Sequence, residues 1–193
     1  MGAAPPGRPL AATVPPPSPG TSVVAIAPDA EATRRLGAAL AGLMRPGDTV
    51  LLGGDLGAGK TTFTQGLAAA LGAVGPVTSP TFVLVHSYRT NAGWDLLHAD
   101  VWRIEQLREV VDLAIPELLE EGAAVVVEWG ELAAPALAPD CLHVAIGFAT
   151  QPGAASTAVP SAAGAREIVF SAGGPNWEAR MRELARAVAV ANA

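Results

Sequence analysis

Apolar residues along this chain alternate between short continuous runs and stretches where they recur every three or four positions. Residues 23–27 form a first run and read as a strand. Beyond it Leu36, Leu40 and Leu43 share a helical face, with Asp29 as N-cap and Glu31 in the first turn. Pro46-Gly47-Asp48 turns the chain into a second run, Thr49-Val50-Leu51-Leu52, which reads as a buried strand. Between Thr61 and Leu71 the residues Phe63, Leu67, Ala70 and Leu71 predict a helix that Gly72 stops. Runs at 82–88 and 94–99, joined by Arg89-Thr90-Asn91-Ala92-Gly93, predict an antiparallel hairpin. A mostly polar helix over about 105–113 and a short one over 116–121 come after it. Strands at 123–128, 141–148 and 167–170 come next, then a helix over 177–191 with Met181, Leu184 and Val188 on one face. Strands alternating with helices give an α/β three-layer sandwich, its sheet mixed and mostly parallel with an antiparallel hairpin addition. No internal repeat is visible.

The 193 residues suit one domain, here 23–193, behind a proline-rich, extended tail at 1–22. That tail has no apolar core of the secretory type, and no run reaches membrane-spanning length. The stretch 150–165, rich in Ala, Gly, Ser and Pro, reads as a flexible surface loop. A net charge of −6 argues against a surface that grips DNA or tRNA directly. The single cysteine, Cys141, can make no internal disulfide and reads as a core or half-buried thiol, which points to a reducing, cytoplasmic compartment.

One octapeptide carries the chemistry. Gly54-Asp55-Leu56-Gly57-Ala58-Gly59-Lys60-Thr61 fits the phosphate-binding loop pattern, and Lys60 is the only lysine beside eleven arginines. Strand, glycine loop and helix in that order bring backbone N–H groups and a helix dipole to one anion. Lys60 would reach the β- and γ-phosphates of a nucleoside triphosphate, and the Thr61 hydroxyl would complete a magnesium shell. Such a loop needs an acid at the end of a neighbouring strand, and Asp100 and Glu128 both qualify, Glu128 on the more continuously buried run. Val77-Thr78-Ser79-Pro80-Thr81 is read either as a nucleotide-sensing switch or as a Ser-Pro turn opening a strand. His86, His98 and His143 lack metal-ligand spacing, though His98 shares a strand face with Asp100. Trp102 and Trp129 flank the two acids, as core or as walls of the site.

Four blocks in order, Gly54 through Phe63, Ser79-Pro80-Thr81-Phe82, His98-Ala99-Asp100-Val101-Trp102-Arg103 and Val127-Glu128-Trp129, resemble the TsaE (YjeE) family. The resemblance spans about 33–131 and implies a P-loop NTPase fold, ATP and Mg2+, with ATP hydrolysis weak in the absence of partners. It implies a role in tRNA N6-threonylcarbamoyladenosine biosynthesis beside the TsaB–TsaD protein complex, with tRNA met only indirectly. By matching position, Asp55, Leu56, Gly57, Ala58, Gly59, Lys60, Thr61 and Thr62 become nucleotide-binding, with Ser79 and Thr81 in a switch. Lys60, Asp100 and Glu128 become catalytic, and Thr61, Asp100 and Glu128 the magnesium-side groups. This chain has Trp102 where the family usually has a tyrosine. A guanine reader of the Asn-Lys-x-Asp type cannot exist here, because the one lysine is already in the loop. A small-metabolite kinase is the alternative from another class, with Arg103 and Arg108 as candidate lid residues.

Overall fold

The computed structural model describes residues 22–80, 85–102, 113–130, 140–149 and 164–193. Within them the chain runs β1 (Ser22–Ala27), α1 (Ala30–Ala41), β2 (Thr49–Gly53), α2 (Lys60–Ala70), β3 (Val85–Arg89) and β4 (Asp95–Asp100). It continues through α3 (Ile115–Glu120), β5 (Ala124–Glu128), β6 (Leu142–Phe148), β7 (Arg166–Ala172) and α4 (Pro175–Ala191). The strands form one sheet in the order β1-β7-β6-β2-β5-β4-β3. β6, β2, β5 and β4 are parallel neighbours, β3 is antiparallel to β4, and β7 lies antiparallel between β1 and β6. The mixed, mostly parallel sheet and its β3–β4 hairpin are those the pattern predicts. The expected helix over 105–113 falls almost wholly outside the described residues, as do the tail 1–21, residues 82–84 of the hairpin run and 150–163.

Burial follows the pattern of the sequence. β2 and β5 are buried along their whole length, as continuous apolar runs in a parallel sheet require. On one face α1, α2 and α4 cover a core that includes Leu36, Leu40, Phe63, Leu67, Phe170 and Trp177. On the other, Leu51, Leu97, Val125 and Val127 pack with Ile115 of α3. Each large side chain sealed in this way contributes roughly 1.5–3 kcal/mol. α1 starts as expected: Asp29 is extended and its carboxylate accepts from the Ala32 N–H at 2.8 Å.

The contact of α1 with α2 fixes how closely the first turns of these two helices approach. A Cβ on Gly37 would collide with the Phe63 carbonyl, and one on Gly66 with the Arg34 carbonyl. The two helices therefore meet backbone to backbone. Among the described residues no helix is long and apolar enough to cross a membrane.

Candidate nucleotide-binding site

β2 leaves the core at Gly53 and the chain turns through Gly54–Gly59 into α2. Gly54 and Gly59 have φ of 129° and 115°, a region that only glycine enters without strain. Gly59 caps α2 without a side-chain hydrogen bond, and the first turn of α2 holds no acid. Its N–H groups thus face an opening rather than a carboxylate, the arrangement that receives an anion. Asp55 and Gly57 are exposed and Leu56 is 82% exposed at the loop tip, while Ala58 is buried beneath it.

Lys60 is only 5% exposed. Its ammonium donates to the Gly54 and Asp55 carbonyls at 2.9 and 3.0 Å and lies 3.6 Å from the centre of the Trp129 ring. Trp129 holds a left-handed φ of 60°, a conformation that costs a bulky residue on the order of 1–3 kcal/mol. Its N–H is tied to the Leu52 carbonyl at 2.9 Å, and its ring meets that of Trp102 at 4.2 Å between centroids. Trp102 is 40% exposed and both rings line the cleft, with Trp129 also packed against the core on that face of the sheet.

The acids arrive by sheet register. β4 and β5 are parallel and pair Asp100 with Glu128 at their ends. Glu128 Oε1 accepts from the Thr61 hydroxyl at 2.7 Å, a contact spanning 67 residues of chain. The same oxygen lies 2.9 Å from His98 Nε2. Asp100 accepts from the Trp102 N–H at 3.0 Å and from the Ser79 hydroxyl at 3.3 Å. The structure therefore gathers Lys60, Thr61, Ser79, Asp100 and Glu128 around one open cleft of about 480 Å³. Thr81 lies outside the described residues.

A second cleft of about 340 Å³ adjoins the first and shares Gly57, Gly59 and Thr62 with it. Its far wall is Asp29, Ala30 and Thr33 at the start of α1, and Arg166 at the start of β7. Arg166 donates to the Ala58 carbonyl at 2.9 Å and to that of Gly57 at 3.4 Å, with its guanidinium 4.2 Å from the centre of the Phe148 ring. Sequence reading missed Arg166, which carries no motif; the only local signal is the charged pair Arg166-Glu167 ahead of the apolar run Ile168-Val169-Phe170.

No group of three or more His, Cys, Asp or Glu side chains able to hold a metal ion occurs among the described residues. One hydroxyl and two carboxylates beside an anion site suit a hard cation that takes its remaining ligands from phosphate oxygens and water. Cys141 is buried outside this site. Burial, with Asp140 adding to it, pushes its thiol up to about 11, and burial lowers the pKa of His143, whose Nε2 is 3.3 Å from the sulfur. The two do not form a thiolate–imidazolium pair at neutral pH.

A glycine loop between a buried parallel strand and a helix, faced by acids at the ends of neighbouring strands, defines a P-loop NTPase fold. Comparison with known proteins narrows the class. The family model for threonylcarbamoyl adenosine biosynthesis protein TsaE matches residues 27–154. The tRNA threonylcarbamoyladenosine biosynthesis protein TsaE of Streptomyces coelicolor is 45% identical over 115 residues, 58% of this chain and 77% of the relative. That of Bacillus subtilis is 36% identical over 156 residues, covering 81% of this chain and 89% of the relative. The crystal structure of Bacillus subtilis YdiB matches with a TM-score of 0.66 at 30% identity, over 86% of this chain and 95% of that one. The chain belongs to the TsaE family, whose role lies in tRNA threonylcarbamoyladenosine biosynthesis.

Proposed function

We propose that this protein binds and hydrolyses ATP with Mg2+ to support the turnover of the TsaB–TsaD complex in tRNA N6-threonylcarbamoyladenosine biosynthesis. The observation that carries this reading is the hydrogen bond from Thr61 in the loop to Glu128, whose strand neighbour is Asp100. It brings the hydroxyl and both acids to the open N-terminus of α2. The phosphates lie over the loop amides from Asp55 to Thr62, and Lys60 leaves its carbonyls to meet the β- and γ-phosphates. The nucleoside extends past Gly59 into the cleft edged by Thr33 and Arg166. Adenine is preferred to guanine, for the reader of guanine is missing from the sequence.

Magnesium, when bound, supplies charge neutralisation at the phosphate oxygens, with Thr61, Glu128 and Asp100 as its protein-side groups. Glu128 stands on the Thr61 side of that set. Asp100, held by Ser79 and the Trp102 amide, orients the water that attacks the γ-phosphate. Ser79 and Thr81 form a segment that responds to the γ-phosphate. The protein acts in the cytoplasm, with tRNA held by its partners, since a net charge of −6 provides little counterion release of its own.

The test uses the purified chain, ATP, the partner complex and tRNA, following phosphate release and tRNA modification together. Partners should raise phosphate release, ATP should outcompete GTP, and Lys60→Ala should lower turnover by about 10²–10³-fold and stop repeated rounds of modification. Unchanged ATP binding and turnover in Lys60→Ala, or phosphorylation of a small metabolite by the chain alone, would sink the reading.

A further inference from the structure

His98 stands inside the acid cluster yet does not line the cleft. It is fully buried on β4, two residues before Asp100 and on the same face of the strand. Register sets it beside Val126, and Glu128, two residues further along β5, projects to that same face. The 2.9 Å contact with Glu128 Oε1 is a hydrogen bond when the ring carries a proton on Nε2. Nδ1 is buried with no partner among the described residues. A buried N–H at Nδ1 without an acceptor would cost more than a lone pair there, which favours the Nε2–H tautomer. An apolar residue in this position would bury the same volume without that penalty, so the bond to Glu128 is what offsets it.

Glu128 needs the anchor. The terminal torsion of a glutamate is broad and roughly two-fold, so a carboxylate held by a single donor swings. Here Oε1 takes two donors, Thr61 and His98, while Oε2 takes none from any described residue and Glu128 lines the cleft. In the proposed function the Thr61 hydroxyl would also serve the cation, which would leave it a weaker sole support for the carboxylate.

We propose that His98 is a positioning residue for ATP hydrolysis: its Nε2–H pins Oε1 of Glu128 and thereby aims Oε2 into the phosphate cleft. This rests on Glu128 being an acid of the ATP site. His98 touches neither nucleotide nor cation. Its removal disturbs the direction of a charge and not the binding of the phosphates.

The experiment compares His98→Gln, His98→Asn, His98→Leu and Glu128→Ala in the full chain with its partner complex. Gln carries an N–H out to the position of Nε2, whereas Asn carries one only as far as Nδ1. Four quantities are read: kcat, the magnesium concentration for half-activation, ATP affinity with and without magnesium, and thermal stability. His98→Asn and His98→Leu should lose about 10–100-fold in kcat and need more magnesium, as outer-sphere supports of metal-site carboxylates do. Their ATP affinity without magnesium should stay within about twofold of wild type, because binding shared by ground and transition states is untouched. His98→Gln should recover most of the lost kcat. A long-range proton–nitrogen spectrum should show the Nε2–H tautomer in the native chain and an altered His98 signal in Glu128→Ala. Wild-type kcat and magnesium dependence in His98→Asn, or a His98→Gln no better than His98→Asn at equal stability, overturns the proposal while a crippled Glu128→Ala keeps the ATP-site reading. Wild-type turnover in Glu128→Ala overturns both. If His98→Leu does not fold, the Gln and Asn variants decide alone.

Discussion

Strand β2 has a buried ionic group at each end, and the two are finished differently. Before its first residue, Asp48 receives Arg180 of α4 through two bonds of 2.6 and 2.8 Å, and the Arg45 N–H at 2.8 Å. Arg180 directs its other donors to the Leu43 and Asn176 carbonyls at 2.8 and 3.1 Å and stacks 3.7 Å from the centre of the Trp177 ring. Four of the five guanidinium N–H groups and both carboxylate oxygens are paired within the protein. At the other end of β2, opposite Leu52 on β5, Glu128 takes two donors on one oxygen and none from a described residue on the other, it lines a cleft, and the α2 N–H groups have no side-chain cap. A buried charge whose partners are complete is a strut, and one left with capacity toward an opening is equipped to take a ligand. Closure of the hydrogen-bond inventory, more than burial or charge, separates the two ends.

The largest effect expected from breaking this contrast is at the strut. Arg180→Ala strands Asp48 in a poorly solvated place and should cost about 3–5 kcal/mol in urea unfolding. ATP affinity, measured where the variant is still folded, should not change. An unaltered unfolding midpoint would show that the closed pair holds nothing together.

The open end should respond in the opposite manner. Asp100→Ala and Glu128→Ala should each lower turnover on the order of 10²-fold while ATP affinity moves by no more than about threefold. Asp100→Ala should leave stability near that of wild type, whereas Glu128→Ala strands the buried His98 N–H and should cost about 1–3 kcal/mol, less than the loss at the strut. A variant that hydrolyses ATP at the native rate with partners present removes its residue from the site; one that unfolds makes this end a strut as well.

The smallest effect belongs to Cys141, which serves neither end. Its folded pKa of about 11 stands above the ordinary thiol value of 9.0. The folded chain therefore keeps the proton that the unfolded chain gives up between those values, so stability is whole below pH 9 and declines as pH rises through the window. Cys141→Ala should flatten this slope, and the native thiol should alkylate slowly at about pH 7. Rapid labelling of native protein would contradict the buried, neutral thiol.

What could be read from the sequence was local. The glycine loop, the Asp29 cap, the hairpin and the two acids at strand ends each sit within a few residues of their own signal. Boundaries moved by one or two residues; β4 begins at Asp95, not at 94, β7 ends at Ala172, not at 170, and α4 begins at Pro175, not at 177. The partners of those groups were not legible. Arg180 finds Asp48 across 132 residues, and Arg166 finds the loop carbonyls across 108 and 109. Such contacts depend on which strands lie side by side, and the insertion of β7 between β1 and β6 follows from no periodicity. His98 illustrates the boundary: its shared face with Asp100 is visible from alternation, but its bond to Glu128 exists only because β4 lies next to β5.

The bare crossing at Gly37 and Gly66 couples the two clefts mechanically. α1 begins at the wall of one cleft and α2 at the floor of the other, and at these two glycines the helices approach backbone to backbone. No rotamer can lengthen or shorten that joint, for neither glycine has one. The interval between the clefts is then a gauge block, ground to one length and identical in every copy of the molecule. One added methyl at either glycine would act as a shim, prising the two clefts out of step without touching a single residue that lines them.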